Sequence, residues 1–262
     1  MKIFIHLLNH FFLKHIFNLK QIIISFKNIS WFYNDFKKLK KEKGSDKTFF
    51  LSSFYPILSD RKEEGGTMKG HYFHQDLYVA SLIFKSKPIK HLDIGSRTDG
   101  FVAHVASFRE IEIIDIREIK SKVKNISFRK ADLMQLPSDL LNYCDSISSL
   151  HAIEHFGLGR YGDPIDYFGY LKAIDNIAKI LILGGNFYFS VPIGPQRIEF
   201  NAHRVFSLNY LKEILSKEFK IESFSFVDDL GDFYENIQLT SENLTNNCGC
   251  NYGCGIFHLI KK

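Results

Sequence analysis

Apolar residues recur along this chain with two different periods, and the alternation between them outlines the fold. From Ile5 to Phe26, positions 5, 8, 12, 16, 19, 23 and 26 are apolar and share one helical face, with His6, His10, Lys14, Asn18, Gln21 and Ser25 opposite. Leu7, Phe11, Phe17 and Ile24 break the polar side. Residues 46–70 read as a linker or mobile loop, polar and glycine-bearing around a short apolar run that ends at Leu58. His71 to Phe84 returns to the helical period. Seven short apolar runs of strand length then follow: 89–94, 111–114, 126–128, 145–150, 186–191, 221–227 and 255–260. Helical stretches are expected at 101–108, 167–183 and 207–219, the second of them ended by Gly184 and Gly185. Strands alternating with helices specify an α/β class and a doubly wound sheet. The expected organisation is a helical basic N-terminal arm over 1–45, the linker over 46–70 and one domain over 71–262.

The pattern turns on residues 89–100, a buried strand that runs into a tight turn. Asp93 ends the strand, and Gly95 can take a positive φ and bring bare backbone close to a ligand. The second strand ends in Asp115, twenty residues after Gly95, a spacing that suits an acid reaching a ribose hydroxyl pair. A dinucleotide fingerprint wants small residues where Arg97 and Thr98 stand, so a pyrophosphate lacks room and bare amides. A cofactor with one ribose, an amino-acid tail and no phosphates is less troubled, which favours S-adenosylmethionine over NAD. Asp132, beyond the third strand, is placed either to accept from an adenine amine or to cap its own turn.

The fourth strand delivers His151, Glu154 and His155 into the crevice where open sheets bind ligands. His151 and His155 have the spacing of zinc ligands on a helix, but His151 lies at a strand end, and no metal is expected there. Residues 156–164 are too rich in glycine for a helix and read as a loop over the site, with Arg160, Tyr161 and Asp163 as polar contacts. Arg197, Asn201, His203 and Arg204 form an unusually polar segment at the rim, with His203 a second candidate base. Tyr72, His74 and Gln75 precede the first strand and are candidates to close over the ligand. Cys248, Cys250 and Cys254 have tight metal-like spacing with no obvious fourth ligand other than His258 or a remote residue, and read first as a glycine-rich active-site loop.

Charge narrows the partners. Of a net +5, the first 43 residues supply +7, nine Lys against Asp35 and Glu42, which leaves −2 on the rest. With no Arg-rich stripe or RNA-binding aromatic motif, nucleic acid is excluded as an expected partner. The basic arm fits either peripheral contact with an anionic membrane or packing on the domain or a second subunit. Without a cleavable signal pattern, a cytoplasmic protein with free thiols is expected, peripheral to the inner face of the membrane if the arm binds lipid.

From about 70 to 262 the chain resembles class I S-adenosylmethionine-dependent methyltransferases. The resemblance is carried by Leu92 to Gly95, Asp115, Ala131 to Leu133, Asp145 to His155 and Gly184 to Pro192. It implies a Rossmann-like methyltransferase fold with a mostly parallel seven-stranded sheet. Residues 71–76 and 200–204 are similar to a little-characterised branch found in nematodes and in bacterial surface-polysaccharide loci, which implies a saccharide-linked or other small-molecule acceptor. Carried over position by position, Gly95 contacts the methionyl tail and Asp93 lies near its amino group. Asp115 holds the ribose and Asp132 the adenine amine, with Ser96, Arg97, Ile116, Leu133 and His151 completing the cofactor set.

The expected reaction is O-methylation, in which positioning can supply roughly 7–11 kcal/mol. A sugar hydroxyl needs a base, and His155, with Glu154 beside it, or His203 fills that role. A phosphate-type oxygen needs Arg160, Arg197 or Arg204 instead. The alternatives are an NAD-dependent nucleotide-sugar oxidoreductase or epimerase, and a degenerate, non-catalytic binding subunit.

Overall fold

The computed structural model describes residues 19–51, 53–58, 60–62 and 64–262, so most of the amphipathic stretch Ile5–Phe26 lies outside the described residues. The chain divides into two compact units, Met1–Thr67 and Met68–Lys262. In the first, helix α1 (Leu19–Lys43) ends on Lys40, Lys41 and Lys43, cations that suit the negative end of a helix dipole. Phe54 meets Phe36 edge-on at 4.7 Å, and Arg61 pairs with Asp35 at 3.0 Å. Part of the segment expected as a linker thus contacts α1. No helix among the described residues is long and apolar enough to cross a membrane.

The second unit opens with α2 (His71–Ser86), followed by β1 (His91–Ile94). After β1 the chain makes a single π turn over Thr98–Val102 and a short α3 (Ala103–Ala106), in place of the longer helix expected at 101–108. Strands β2 (Ile111–Asp115), β3 (Ile126–Lys130) and β4 (Cys144–Leu150) come next, then α4 (Gly169–Ile180) and β5 (Leu181–Ile193). Helix α4 stops at Ile180 and β5 starts at once, because Gly184 at φ +75 serves a strand irregularity and not a helix cap. A small hairpin of β6 (Arg197–Glu199) and β7 (His203–Val205) precedes α5 (Leu208–Glu218), whose N-cap Ser207 accepts from the Tyr210 amide. Strand β8 (Phe219–Val227), β9 (Phe233–Tyr234), helix α6 (Ser241–Asn246) and β10 (Gly253–Lys261) complete the chain.

The sheet order is β3-β2-β1-β4-β5-β10-β8-β9. The first five strands are mutually parallel, and β10 is antiparallel to both neighbours. This is the expected doubly wound, mostly parallel sheet with one correction: among the described residues it has eight strands, not seven. The extra strand is the two-residue β9, which pairs with Phe226 and Val227 at the edge and is too short to leave a periodic signal. Two cores flank the sheet as the strand period of two requires. Leu92, Ile94 and Ile114 face α4 and α5, packing with Ile174, Ile177 and Leu211. Ile111, Ile113 and Tyr188 face the other way, with Val79 and Ile83 of α2 and with Phe101 and Val105.

Candidate active site

The chain leaves β1 to build β2 and β3 on one side, then crosses to place β4 on the other, so the carboxyl ends of β1 and β4 open a crevice at the point where strand order reverses. Gly95 sits at the mouth of β1 with φ +68, and a Cβ there would stand 3.1 Å from the Ala152 Cβ. The turn needs a residue that is both left-handed and bare. Its geometry is fixed from beneath by a buried polar chain. Asp93 Oδ1 accepts from Ser96 Oγ and Ser148 Oγ, both at 2.6 Å, and Oδ2 accepts from the Ser96 amide at 3.0 Å. Ser96 Oγ in turn accepts from the Leu150 amide, and His91 reaches Ser146 Oγ and Ser148 Oγ with its two ring nitrogens. Burial raises Asp93 to about 6 against the pull of these donors, and burial lowers His91 to about 3.

Two cavities share the crevice. The smaller spans about 550 Å³ and is walled by Ile94, Ile114, Leu133, Ala152 and Phe156, with Asp115, Asp132 and Asp163 as its acids. Asp115 takes the Arg117 amide and Nε on Oδ1, at 2.7 and 3.0 Å, and Nη2 on Oδ2 at 2.8 Å. Asp132 Oδ1 accepts from the Met134 amide at 2.9 Å. The larger cavity, about 1,550 Å³, is lined by Tyr72, Ser96, Arg97, Glu154, His155 and His203 among others.

A histidine cluster joins the two. His151 lines both cavities, and it holds a left-handed backbone, φ +50, rare for a residue with a Cβ and a mark of local strain. Its Nδ1 lies 2.7 Å from Glu154 Oε1, while Nε2 is buried without a hydrogen-bond partner. Burial opposes the imidazolium, but Cys254 and Glu154 outweigh it and hold His151 well above its usual value. For Glu154, burial pushes the carboxyl up and the neighbouring His151 more than reverses it. His155 donates from Nδ1 to the Ala202 carbonyl at 2.6 Å, which leaves Nε2 as a lone-pair nitrogen 3.7 Å from Glu154 Oε1. Burial lowers His155, so the ring is neutral near pH 7 and able to take a proton. His203 is also lowered by burial; its Nε2 lies 3.3 Å from Glu199 Oε2 without the alignment of a hydrogen bond.

The structure gathers most of the residues singled out from sequence and disperses a definable few. Gly95, Asp115, Ile116, Asp132, Leu133 and His151 line the smaller cavity, and Ser96 and Arg97 the larger. Tyr72, Arg160 and Tyr161 also line the larger one. Asp93 lines neither, since it is fully buried and both its oxygens hold the turn after β1. Asp163 borders the smaller cavity, but its carboxylate accepts from the Gly157, Gly159 and Tyr161 amides and so shapes the loop. Gln75 is buried and accepts from Ser190 Oγ at 2.6 Å, and His74 stacks on Phe233. Asn201 lines no cavity of the crevice. Arg204 is not at the rim: its guanidinium donates to the Glu154, Phe156 and Tyr167 carbonyls. Arg197 is engaged with Glu199 and the Pro195 and Asn251 carbonyls. Sequence reading missed Arg117 and Met134, for which only adjacency to the two acids was a signal. Tyr252, in the glycine-rich segment, does reach the larger cavity.

A family described as Caenorhabditis protein of unknown function, DUF268, matches residues 99–252, more than half of the chain. The chain belongs to the DUF268 family. No curated protein matches it in sequence. Among solved structures, this DUF268 chain is similar to a 1,6-didemethyltoxoflavin-N1-methyltransferase from Burkholderia thailandensis with bound 1,6-didemethyltoxoflavin and S-adenosylhomocysteine. The identity is 15%, the TM-score 0.52, and the match covers 72% of this chain and 78% of that one. It is also similar to a putative sarcosine dimethylglycine methyltransferase from Galdieria sulphuraria, at 14% identity and TM-score 0.51, over 71% and 85% of the two chains. The [4+2]-cyclase SpnF matches at 15% identity and TM-score 0.50, over 70% and 80%. At such identities the likeness shows the fold, which is a Rossmann-like methyltransferase fold. A cyclase among the matches underlines that this fold hosts more than one reaction.

Proposed function

We propose that this DUF268 protein is an S-adenosylmethionine-dependent methyltransferase that acts on an oxygen of a small polar acceptor. The observation that carries the reading is one crevice in which an apolar cavity bearing Gly95, Asp115 and Asp132 adjoins a polar cavity bearing His155. The residues fit the donor: Ile114, Leu133 and Phe156 offer apolar walls to an adenine, Asp115 a carboxylate to two hydroxyls, and Gly95 an unobstructed backbone. A dinucleotide fits poorly. The Gly95 amide is bonded to the Ile114 carbonyl at 3.0 Å and the Ser96 amide to Asp93, so neither is free to cradle a pyrophosphate. The S-adenosylhomocysteine bound in the Burkholderia structure supports the same choice.

S-adenosylmethionine, when bound, supplies a methyl group already activated by its sulfonium charge. The chain's part is to orient the acceptor and manage its proton. The His155 Nδ1 proton is fixed on the Ala202 carbonyl, so Nε2 can accept the proton of an attacking hydroxyl. Glu154, 3.7 Å away, stabilises the imidazolium that results. Arg160, anchored on the same Ala202 carbonyl, offers a cation to an anionic acceptor. A saccharide-linked hydroxyl is the acceptor favoured by the sequence resemblance, and the polar lining of the larger cavity supports a hydroxylated ligand over an apolar one. Calorimetric titration of the full chain with S-adenosylhomocysteine and with NAD tests the reading. Binding of the thioether alone is expected, and binding of NAD alone overturns it.

A further inference from the structure

On the α2 side of the crevice, three side chains distant in sequence converge: His71 at the start of α2, His151 after β4 and Cys254 in β10. One ligand atom from each lies within 4.8 Å of the others. We propose that His71, His151 and Cys254 bind a zinc ion whose fourth position faces the larger cavity.

The His151 Nε2 carries the argument. The residue is 91% buried, by its relative exposure of 9%, and this nitrogen has no hydrogen-bond partner, a state shared among the described residues by Glu154 Oε2 and His203 Nε2 of the same crevice. Its other nitrogen is held at 2.7 Å by Glu154 Oε1, the carboxylate–imidazole arrangement that orients metal-ligating histidines. The His71 ring lies beside that of His151, with ring centroids 5.2 Å apart. Cys254 Sγ has only long contacts, 3.6 Å to Gln75 Oε1 and 4.0 Å to the Gly255 carbonyl. The strained φ at His151 places its ring in this cluster.

Two imidazoles and a thiolate make a three-ligand set of the kind zinc uses where it keeps one position for water or substrate. Tetrahedral bonds of about 2.0–2.3 Å separate ligand atoms by roughly 3.3–3.6 Å, so side-chain shifts of about 1 Å close the site. The same ligand set serves copper when a long axial ligand is added, so the titration includes copper as a competitor. Ligation needs neutral imidazoles and a thiolate, so the protons that His151 and Cys254 give up on binding pass to solvent. His151 and Tyr252 lie on the wall of the larger cavity, so the open position meets whatever acceptor enters.

This proposal stands apart from the donor reading, and its test contains no methyl donor. Full-length protein is stripped with a chelator and titrated with zinc against a chromophoric competitor. One zinc per chain is expected, weakened at least about a hundredfold in Cys254→Ser and in His71→Ala, with Glu154→Gln about ten- to a hundredfold weaker. Cobalt in the wild-type protein should show thiolate charge-transfer absorption, a signature that does not depend on whether a variant folds. Cys248→Ser and Cys250→Ser should leave both readouts unchanged, since neither residue belongs to the cluster. Cobalt binding without thiolate absorption, wild-type affinity in Cys254→Ser, tighter binding of copper with zinc excluded, or no zinc bound by the stripped wild type overturns the proposal.

Discussion

Asp115→Asn isolates the contact on which the donor reading depends. The substitution keeps the shape of the side chain but removes its charge and turns one acceptor into a donor, and its folded-state role is modest. The Arg117 partner is about half exposed, and such pairs contribute roughly 0–1 kcal/mol. A hydrogen bond to a charged group is worth about 1.5–3 kcal/mol, so loss of the carboxylate should weaken S-adenosylhomocysteine binding about ten- to a hundredfold. The thermal midpoint should move by no more than a few degrees. Arg117 gives the experiment a second arm. Its guanidinium and amide already occupy both Asp115 oxygens, so an incoming ribose competes with it. Arg117→Ala should therefore leave affinity unchanged or raise it a few-fold. Isothermal titration of the three proteins supplies the numbers. Equal affinity in wild type and Asp115→Asn would refute the assignment of Asp115 to the ribose, and a strong loss in Arg117→Ala would show that the arginine is itself a ligand contact.

Other substitutions probe the rest of the site. His155→Ala should lower kcat at neutral pH about a hundred- to ten-thousandfold for a hydroxyl acceptor with donor affinity intact, whereas His203→Ala should cost less; full turnover in His155→Ala removes it as the base. Gly157 holds φ +76, and a Cβ there would lie 1.9 Å from the Asp166 carbonyl oxygen, so Gly157→Ala should destabilise the fold by roughly 2–5 kcal/mol, read by denaturant melts. Arg204→Leu leaves three carbonyl acceptors without their donor and should cost about 3 kcal/mol or more, a stability loss with no selective rise in KM. His91, flanked by Ser146, Ser148 and Arg109, has a folded pKa of about 3 against 6.5 unfolded, so the stability that depends on its neutral ring is present above pH 6.5 and is lost as pH falls. The unfolding constants of wild type and His91→Asn should thus diverge up to about tenfold per pH unit between 6.5 and 4. A constant difference across that range would show that His91 is not held neutral.

The parts of the site that lie along one strand and its turn were legible, because their physics is local. Gly95 is where a left-handed turn with bare backbone is needed, and Asp115 ends the next strand over, so strand periodicity alone aims both at the same crevice. What failed were inferences that a polar residue near the rim faces the ligand. Arg204 reads as a substrate clamp, yet hairpin pairing with Ile198 turns it inward to hold three backbone carbonyls. Gln75 likewise looks like a lid residue and is instead a buried link between Ser190 and Asp76. The serines of β4 gave the opposite difficulty. Ser146, Ser148 and Ser149 are fully buried in a central strand, satisfied only by partners more than fifty residues away, and no local pattern announces such pairing.

His151 shows why the chemistry of this crevice is harder to read than its fold. Its neighbours come from both ends of the domain, His71 and Cys254 being separated by most of the chain, and only the strand order β1-β4-β5-β10 with α2 laid across it brings them together. The spacing signals in the sequence pointed elsewhere, to His155 four residues on and to Cys248 and Cys250. Helical spacing fails because the chain after β4 makes only a short 3-10 turn over Ile153–His155, which sends the His155 Nδ1 to Ala202 while His151 turns towards α2. The positive φ at His151 is what separates the two rings, and it is maintained at a cost only because the Ser190 carbonyl, the Ser190 hydroxyl and Glu154 all fix the residue. A strained residue that lines both cavities and is braced by Ser190 and Glu154 is the place where the two cavities can influence each other, since any shift of its ring changes the walls of both.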